Sequence, residues 1–123
     1  MAGSVNLRAV GAEGEDLALA AYLREGYSLV MRNWHYHRMG EIDLILTKGE
    51  WLVFCEVKLR KDPSFAEASL SVGPVKRARI RKLARCFLMQ RDEFSDYNIR
   101  FDVCEIIPDE HGDLTVNLIA DAF

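Results

Sequence analysis

Apolar residues recur at two different periods along the chain, and the switches between the periods divide it into seven elements. From about Val10 to Arg24 the residues Gly11, Glu15, Ala18 and Tyr22 fall on one helical face, with Leu17 and Ala21 beside it, and Gly26 follows as a stop signal. A strand is expected from Tyr27 to Arg32, and a polar stretch, Asn33 to Met39, leads into Glu41 to Thr47. There Ile42, Leu44 and Leu46 alternate with Glu41, Asp43 and Ile45. Lys48-Gly49 separates that strand from Trp51 to Arg60 and reads as the turn of a β-hairpin. Lys61, Asp62 and Pro63 end the second strand, and Asp62 to Gly73 reads as a long loop. Pro74 suits the first position of a helix that reaches about Gln90, with Val75, Ala78, Leu83 and Phe87 apolar. A strand from Ile99 to Ile107, a turn at Asp109 to Gly112 and a strand from Leu114 to Ile119 close the pattern.

The order α-β-β-β-α-β-β predicts an α/β fold in two or three layers, a mixed sheet of about five strands flanked by two main helices. No repeat, low-complexity tract or linker divides residues 1–123, so one domain is expected. The longest apolar runs, such as Trp51 to Cys55, are far too short to span a bilayer. The opening MAGSVNLRAV lacks the apolar stretch of a secretory signal, which sets the expectation at a cytoplasmic protein without a membrane partner. Cys55, Cys86 and Cys104 are odd in number and widely spaced, and read as apolar filler in a reducing compartment.

Charge is segregated. The net value of −3 hides 5 basic and 8 acidic residues in 1–57, 10 and 2 in 58–91, and 1 and 9 in 92–123. A basic middle segment can hold a polyanion, although a solvated helix balanced by an acidic tail has the same signature. Lys76, Arg79 and Arg81 are its best helical candidates for phosphate contacts, and Arg60 extends the face of the preceding strand.

That basic segment follows directly on a pair of carboxylates in otherwise apolar strands, IDLIL and WLVFCEVKL, where unpaired charge is costly. A two-residue Lys48-Gly49 turn would pair Thr47 with Glu50, set Asp43 opposite Phe54 and Glu41 opposite Glu56. Asp43 and Glu56 would then be same-face diagonal neighbours roughly 7 to 8 Å apart. Two such carboxylates suit Mg²⁺ or Mn²⁺, and Lys58, on the same face as Glu56, could hold an attacking water or a phosphate oxygen. Glu15, among small neighbours on the first helix, could bring a third carboxylate.

The segments GAEGEDLALAAYLREGYSLVMRNW, GEIDLI, VFCEVKLR, VKRARIRKLARCFL and RFDVCEI resemble, in order over about residues 11–107, the YraN-like family of small bacterial proteins, within the restriction-endonuclease-like superfamily. The resemblance implies a PD-(D/E)xK core with Asp43 and Glu56 as metal ligands and Lys58 as the catalytic lysine. Likeness to junction-resolving nucleases adds Glu15 as a further acid. Cys55 stands where that family usually carries Val, and its parity turns it away from the site.

Two functions from different classes follow. One is a Mg²⁺- or Mn²⁺-dependent nuclease on branched or damaged DNA; the other is a non-catalytic nucleic-acid-binding or adaptor module on the same fold. Nucleic acid, DNA foremost, is the expected partner in both, and a homodimer is left open. His35 and His37 read as exposed or phosphate-touching rather than metal-binding, Trp34, Tyr36 and Arg38 as packing or base-stacking residues, and Arg100 and Asp102 as structural, each ion-paired with neighbours rather than catalytic.

Overall fold

The computed structural model describes residues 7–60 and 72–123. Its elements are helix α1 (Leu7–Arg24), strands β1 (Ser28–His35), β2 (Glu41–Lys48) and β3 (Trp51–Leu59), helix α2 (Pro74–Gln90), and strands β4 (Asn98–Pro108) and β5 (Leu114–Ile119). The expected loop from Asp62 falls outside the described residues except for Val72 and Gly73, as do Lys61 and the surroundings of Gly11. The five strands form one mixed sheet in chain order, antiparallel throughout except for β3 and β4, which run parallel and are joined through α2.

The sheet lies between the helices. Ala18 and Tyr22 of α1 pack on Leu44, Leu46, Val53, Cys55, Cys104 and Ile106. Leu83, Ala84 and Phe87 of α2 pack with Leu52 and Phe54, the residues of opposite parity on β3. Covered on both faces, β3 reads as a continuous apolar run rather than an alternation. The close approach of α1 depends on Gly14, where a Cβ would stand 3.2 Å from Ile106 Cγ1.

Sequence and structure differ in the hairpin. Lys48 pairs with Trp51, so the turn is Gly49-Glu50 and not Lys48-Gly49. Gly49 has φ 58, the sign a II′ turn needs at its first central residue, and no side chain to oppose it. Sliding a two-residue turn by one position changes the pairing by two, which preserves every face while altering who stands opposite whom. Strand β1 also runs beyond Arg32 to His35, with a register shift between Leu29 and Met31.

Buried charge in β4 is satisfied internally. The Tyr22 hydroxyl donates to Asp102 Oδ2 at 2.8 Å, and Arg100 donates through Nε and Nη2 to the two carboxylate oxygens, each at 2.8 Å. Arg100 also donates to the Tyr27 hydroxyl at 2.7 Å. Burial pushes the Tyr22 hydroxyl far above its ordinary pKa, so it remains a donor. Arg100 and Asp102 thus have the structural role expected of them, with each the other's ion-pair partner. Cys55 and Cys104 are buried thiols, and Cys86 is half-buried.

Candidate functional site

The hairpin ladder between β2 and β3 ends at the pair Leu44 and Cys55. One step further the register sets Asp43 opposite Glu56, a direct pair in place of the diagonal one the misplaced turn implied. Here the backbone hydrogen bonding of the two strands gives way to a side chain, because the Val57 amide donates to Asp43 Oδ2 at 2.8 Å. Ile42, beyond the ladder's end, packs with the α2-side cluster although its parity matches Leu44. Both carboxylates are almost fully buried, Asp43 at 8% and Glu56 at 6% exposure.

Two buried acids face to face disfavour a double negative charge. Burial first, and then the charge of Glu56, push the Asp43 carboxyl up to about 8, against the lowering effect of the Val57 amide. The pair forms a common wall of two pockets. One, of about 220 Å³ on the α1 side, is also lined by Gly14, Glu15 and Val57. The other, of about 200 Å³ on the α2 side, is also lined by Glu41, Lys76 and Arg79.

Glu15 therefore borders the site as expected of it, but its carboxylate is engaged by Arg32, whose Nε lies 3.3 Å from Oε1. Among the described residues no three or more His, Cys, Asp and Glu side chains come together as a ready-made ion-binding group. Lys58 is exposed and lines neither pocket. Alternation keeps it on the side of Glu56, and its backbone neighbour on β4 is Glu105.

The basic candidates separate. Lys76 Nζ forms an ion pair with Glu56 Oε1, and Arg79 lines the same pocket, its side chain beside Gly40. Arg81 does not join them. Five residues from Lys76 puts it about 140° around the helix, where its guanidinium lies over Phe101 and Phe123 at 5.9 and 5.5 Å. Arg60 has the parity assigned to it, yet its Nη1 lies 3.2 Å from Oε2 of the buried Glu105, which commits it to an internal ion pair.

Sequence reasoning missed Arg32 as the partner of Glu15, and Lys76 as the partner of Glu56. For Lys76 a signal existed: two residues after Pro74, it had to sit in the first turn of α2, where that helix leaves the crossover from β3. His35 pairs with Glu41, its Nε2 at 3.3 Å from Oε2, while His37 lies in the turn at φ 52, so the two imidazoles do not share a strand face. Trp34 stacks on Tyr36 and meets Phe87 edge-on, which makes these aromatics part of the α2-side packing.

Residues 14–106, which hold the whole carboxylate site, match the model of the uncharacterised protein family UPF0102. The chain belongs to this family. A UPF0102 protein of Natranaerobius thermophilus is 34% identical over 119 residues, covering 97% of this chain and 100% of its own. One from Caldicellulosiruptor bescii is 40% identical over 120 residues, with the same two shares. One from Syntrophus aciditrophicus is 42% identical over 119 residues, 96% of this chain and 90% of its own. No described helix of this UPF0102 member is long and apolar enough to cross a membrane.

Proposed function

We propose that this UPF0102 member is a divalent-metal-dependent nuclease that hydrolyses phosphodiester bonds in nucleic acid, with branched or damaged DNA as the favoured substrate class. The observation that carries the reading is the placement of Asp43 and Glu56 face to face, buried, at the open end of the β2 and β3 ladder beside the basic first turn of α2. An apolar wall does not need two facing acids, and structural packing would favour neutral residues there. The resemblance of the IDLIL and FCEVK segments to a PD-(D/E)xK core supports the same residues.

The donor set fits Mg²⁺ or Mn²⁺. Both ions take oxygen ligands and commonly use only one or two carboxylates, completing their shell with water and substrate phosphate, so the absence of a third committed acid is no obstacle. A positive charge between Asp43 and Glu56 would also offset the burial and the Glu56 charge that together hold Asp43 toward its protonated form. Asp43 and Glu56 would hold the ion, with Glu15 as an outer acid once released from Arg32. Such an ion supplies Lewis-acid stabilisation of charge developing on the phosphate.

The protein's own groups do the rest. Lys58, at the exposed continuation of the Glu56 face, holds the attacking water or a phosphate oxygen, and Arg79 fixes a phosphate across the α2-side pocket. The test is cleavage of a panel of junctions, flaps, duplexes and single strands with Mg²⁺ and with Mn²⁺, with binding measured on each substrate. Metal-dependent cutting supports the nuclease.

Two observations favour the second reading, a nucleic-acid-binding or adaptor module. Glu56 already has a cation partner in Lys76, and Lys58 lines neither pocket. Tight binding with no cutting of any substrate would select the module.

A further inference from the structure

We propose that Lys76 is the resident counter-cation of the carboxylate pair, holding Glu56 in the ion-free protein and leaving it when a divalent cation binds, so that its ammonium passes to substrate phosphate. This inference rests on the metal-site reading above and adds an exchange to it.

The Glu56 side chain is 7% exposed, whereas that of Lys76 is 46% exposed and reaches in from solvent on a four-carbon stem to Oε1. A buried carboxylate is costly without a partner, and Lys76 is the cation that meets it. A divalent ion touching both Asp43 and Glu56 would stand within a few ångströms of that ammonium. At such spacing, in a site walled by Ile80 and Leu83, the repulsion between like charges is strong. The two cations therefore compete for Glu56.

A departing Lys76 has a suitable destination. It lies in the first turn of α2, which holds no acidic residue and whose N-cap, Gly73, brings no capping side chain, so the positive end of the helix favours an anion beside Lys76. A cation there opposes the helix dipole, and a phosphate reverses the sign of that interaction. Arg79, one turn on and lining the same pocket, supplies a second donor. Substrate phosphate and divalent ion would then bind cooperatively, because each draws Lys76 away from Glu56 or is favoured by its departure.

The experiment is calorimetric titration of Mn²⁺ into the full-length wild type, Lys76→Met, and Lys82→Met, which removes the same charge from an exposed position on α2. Lys76→Met should bind Mn²⁺ at least about fivefold more tightly than wild type, within the usual size of site-to-site coupling, and Lys82→Met should match wild type. Thermal melting should show Lys76→Met less stable than wild type without metal and recovering on addition of Mn²⁺. A short DNA duplex should raise Mn²⁺ affinity in wild type by a larger factor than in Lys76→Met. Equal or weaker Mn²⁺ binding by Lys76→Met, with wild type still binding, would overturn the exchange and leave the metal site standing. An equal gain from the duplex in both proteins would overturn the transfer to phosphate. No Mn²⁺ binding by either protein would remove the metal reading itself, and the exchange with it.

Discussion

The Val57 amide donates to Asp43 Oδ2 at 2.8 Å, across the point where the β2 and β3 ladder stops. A carboxylate thereby takes over a half-buried backbone donor where the β2 and β3 ladder ends. The same contact fixes Asp43 against Glu56. The hydrogen bond lowers the Asp43 pKa, yet burial and the facing charge outweigh it, and the balance leaves the carboxyl at about 8.

A stability profile against pH follows from that balance. Asp43 binds its proton more tightly when folded than when unfolded, so its contribution is fully present below the unfolded value near 4 and is lost as pH rises through about 8. In metal-free buffer wild-type stability should fall across this window with a slope of at most about 1.4 kcal/mol per pH unit. Asn at position 43 keeps an acceptor for Val57 but cannot ionise. Urea unfolding at pH 5, 7 and 9 should therefore find Asp43→Asn flatter than wild type and more stable at pH 9. A variant less stable than wild type at pH 9 would contradict the repulsion.

Chemistry and affinity should separate at Lys58. Lys58→Ala is expected to abolish Mg²⁺- or Mn²⁺-dependent cleavage while leaving nucleic-acid affinity within about threefold, since one lysine supplies a small share of a multi-phosphate contact. Binding and cleavage are to be measured on the same substrate. An unchanged cleavage rate would dismiss Lys58 from the chemistry.

The split of the basic helix makes a salt-dependence prediction. Lys76 and Arg79 border the site, so replacing both with Ala should reduce the slope of log K against log salt by about two on duplex DNA. Arg81 stacks over Phe101 and Phe123, and Arg81→Ala should leave the slope nearly unchanged while lowering stability by about 0.5 to 1 kcal/mol. A slope that responds to Arg81 as strongly as to the pair would place the nucleic acid on the other flank of α2.

Asp102 is 1% exposed; Arg100 supplies its counter-charge, and the Tyr22 hydroxyl and the Asp121 amide donate to its oxygens. Arg100→Ala leaves that charge buried and should cost on the order of 3 kcal/mol, whereas Tyr22→Phe removes one hydrogen bond and should cost about 1 to 2. Denaturant melts at neutral pH measure both. Equal, small losses would mean that Asp102 is accessible to water once Arg100 is gone.

The amino-acid sequence alone determined the element order, the bounds of α2 and β5, and the common face of Asp43 and Glu56, because these rest on local periodicity and on parity. Parity also explains why the site's composition tolerated a wrong turn: moving the turn to Gly49-Glu50 exchanged partners in steps of two and left Asp43 and Glu56 on one face. Tertiary structure decided the partnerships. Lys76 meets Glu56, Arg32 meets Glu15 and Arg60 meets Glu105 across 20, 17 and 45 positions of chain. No period in the sequence encodes such distances: the first two arise when α2 and α1 close on the sheet, and the third when β3 and β4 pair in parallel. Charge patterning identified α2 as basic, but the helix's rotation against the sheet chose which of its cations face the carboxylates and which rest on aromatic rings.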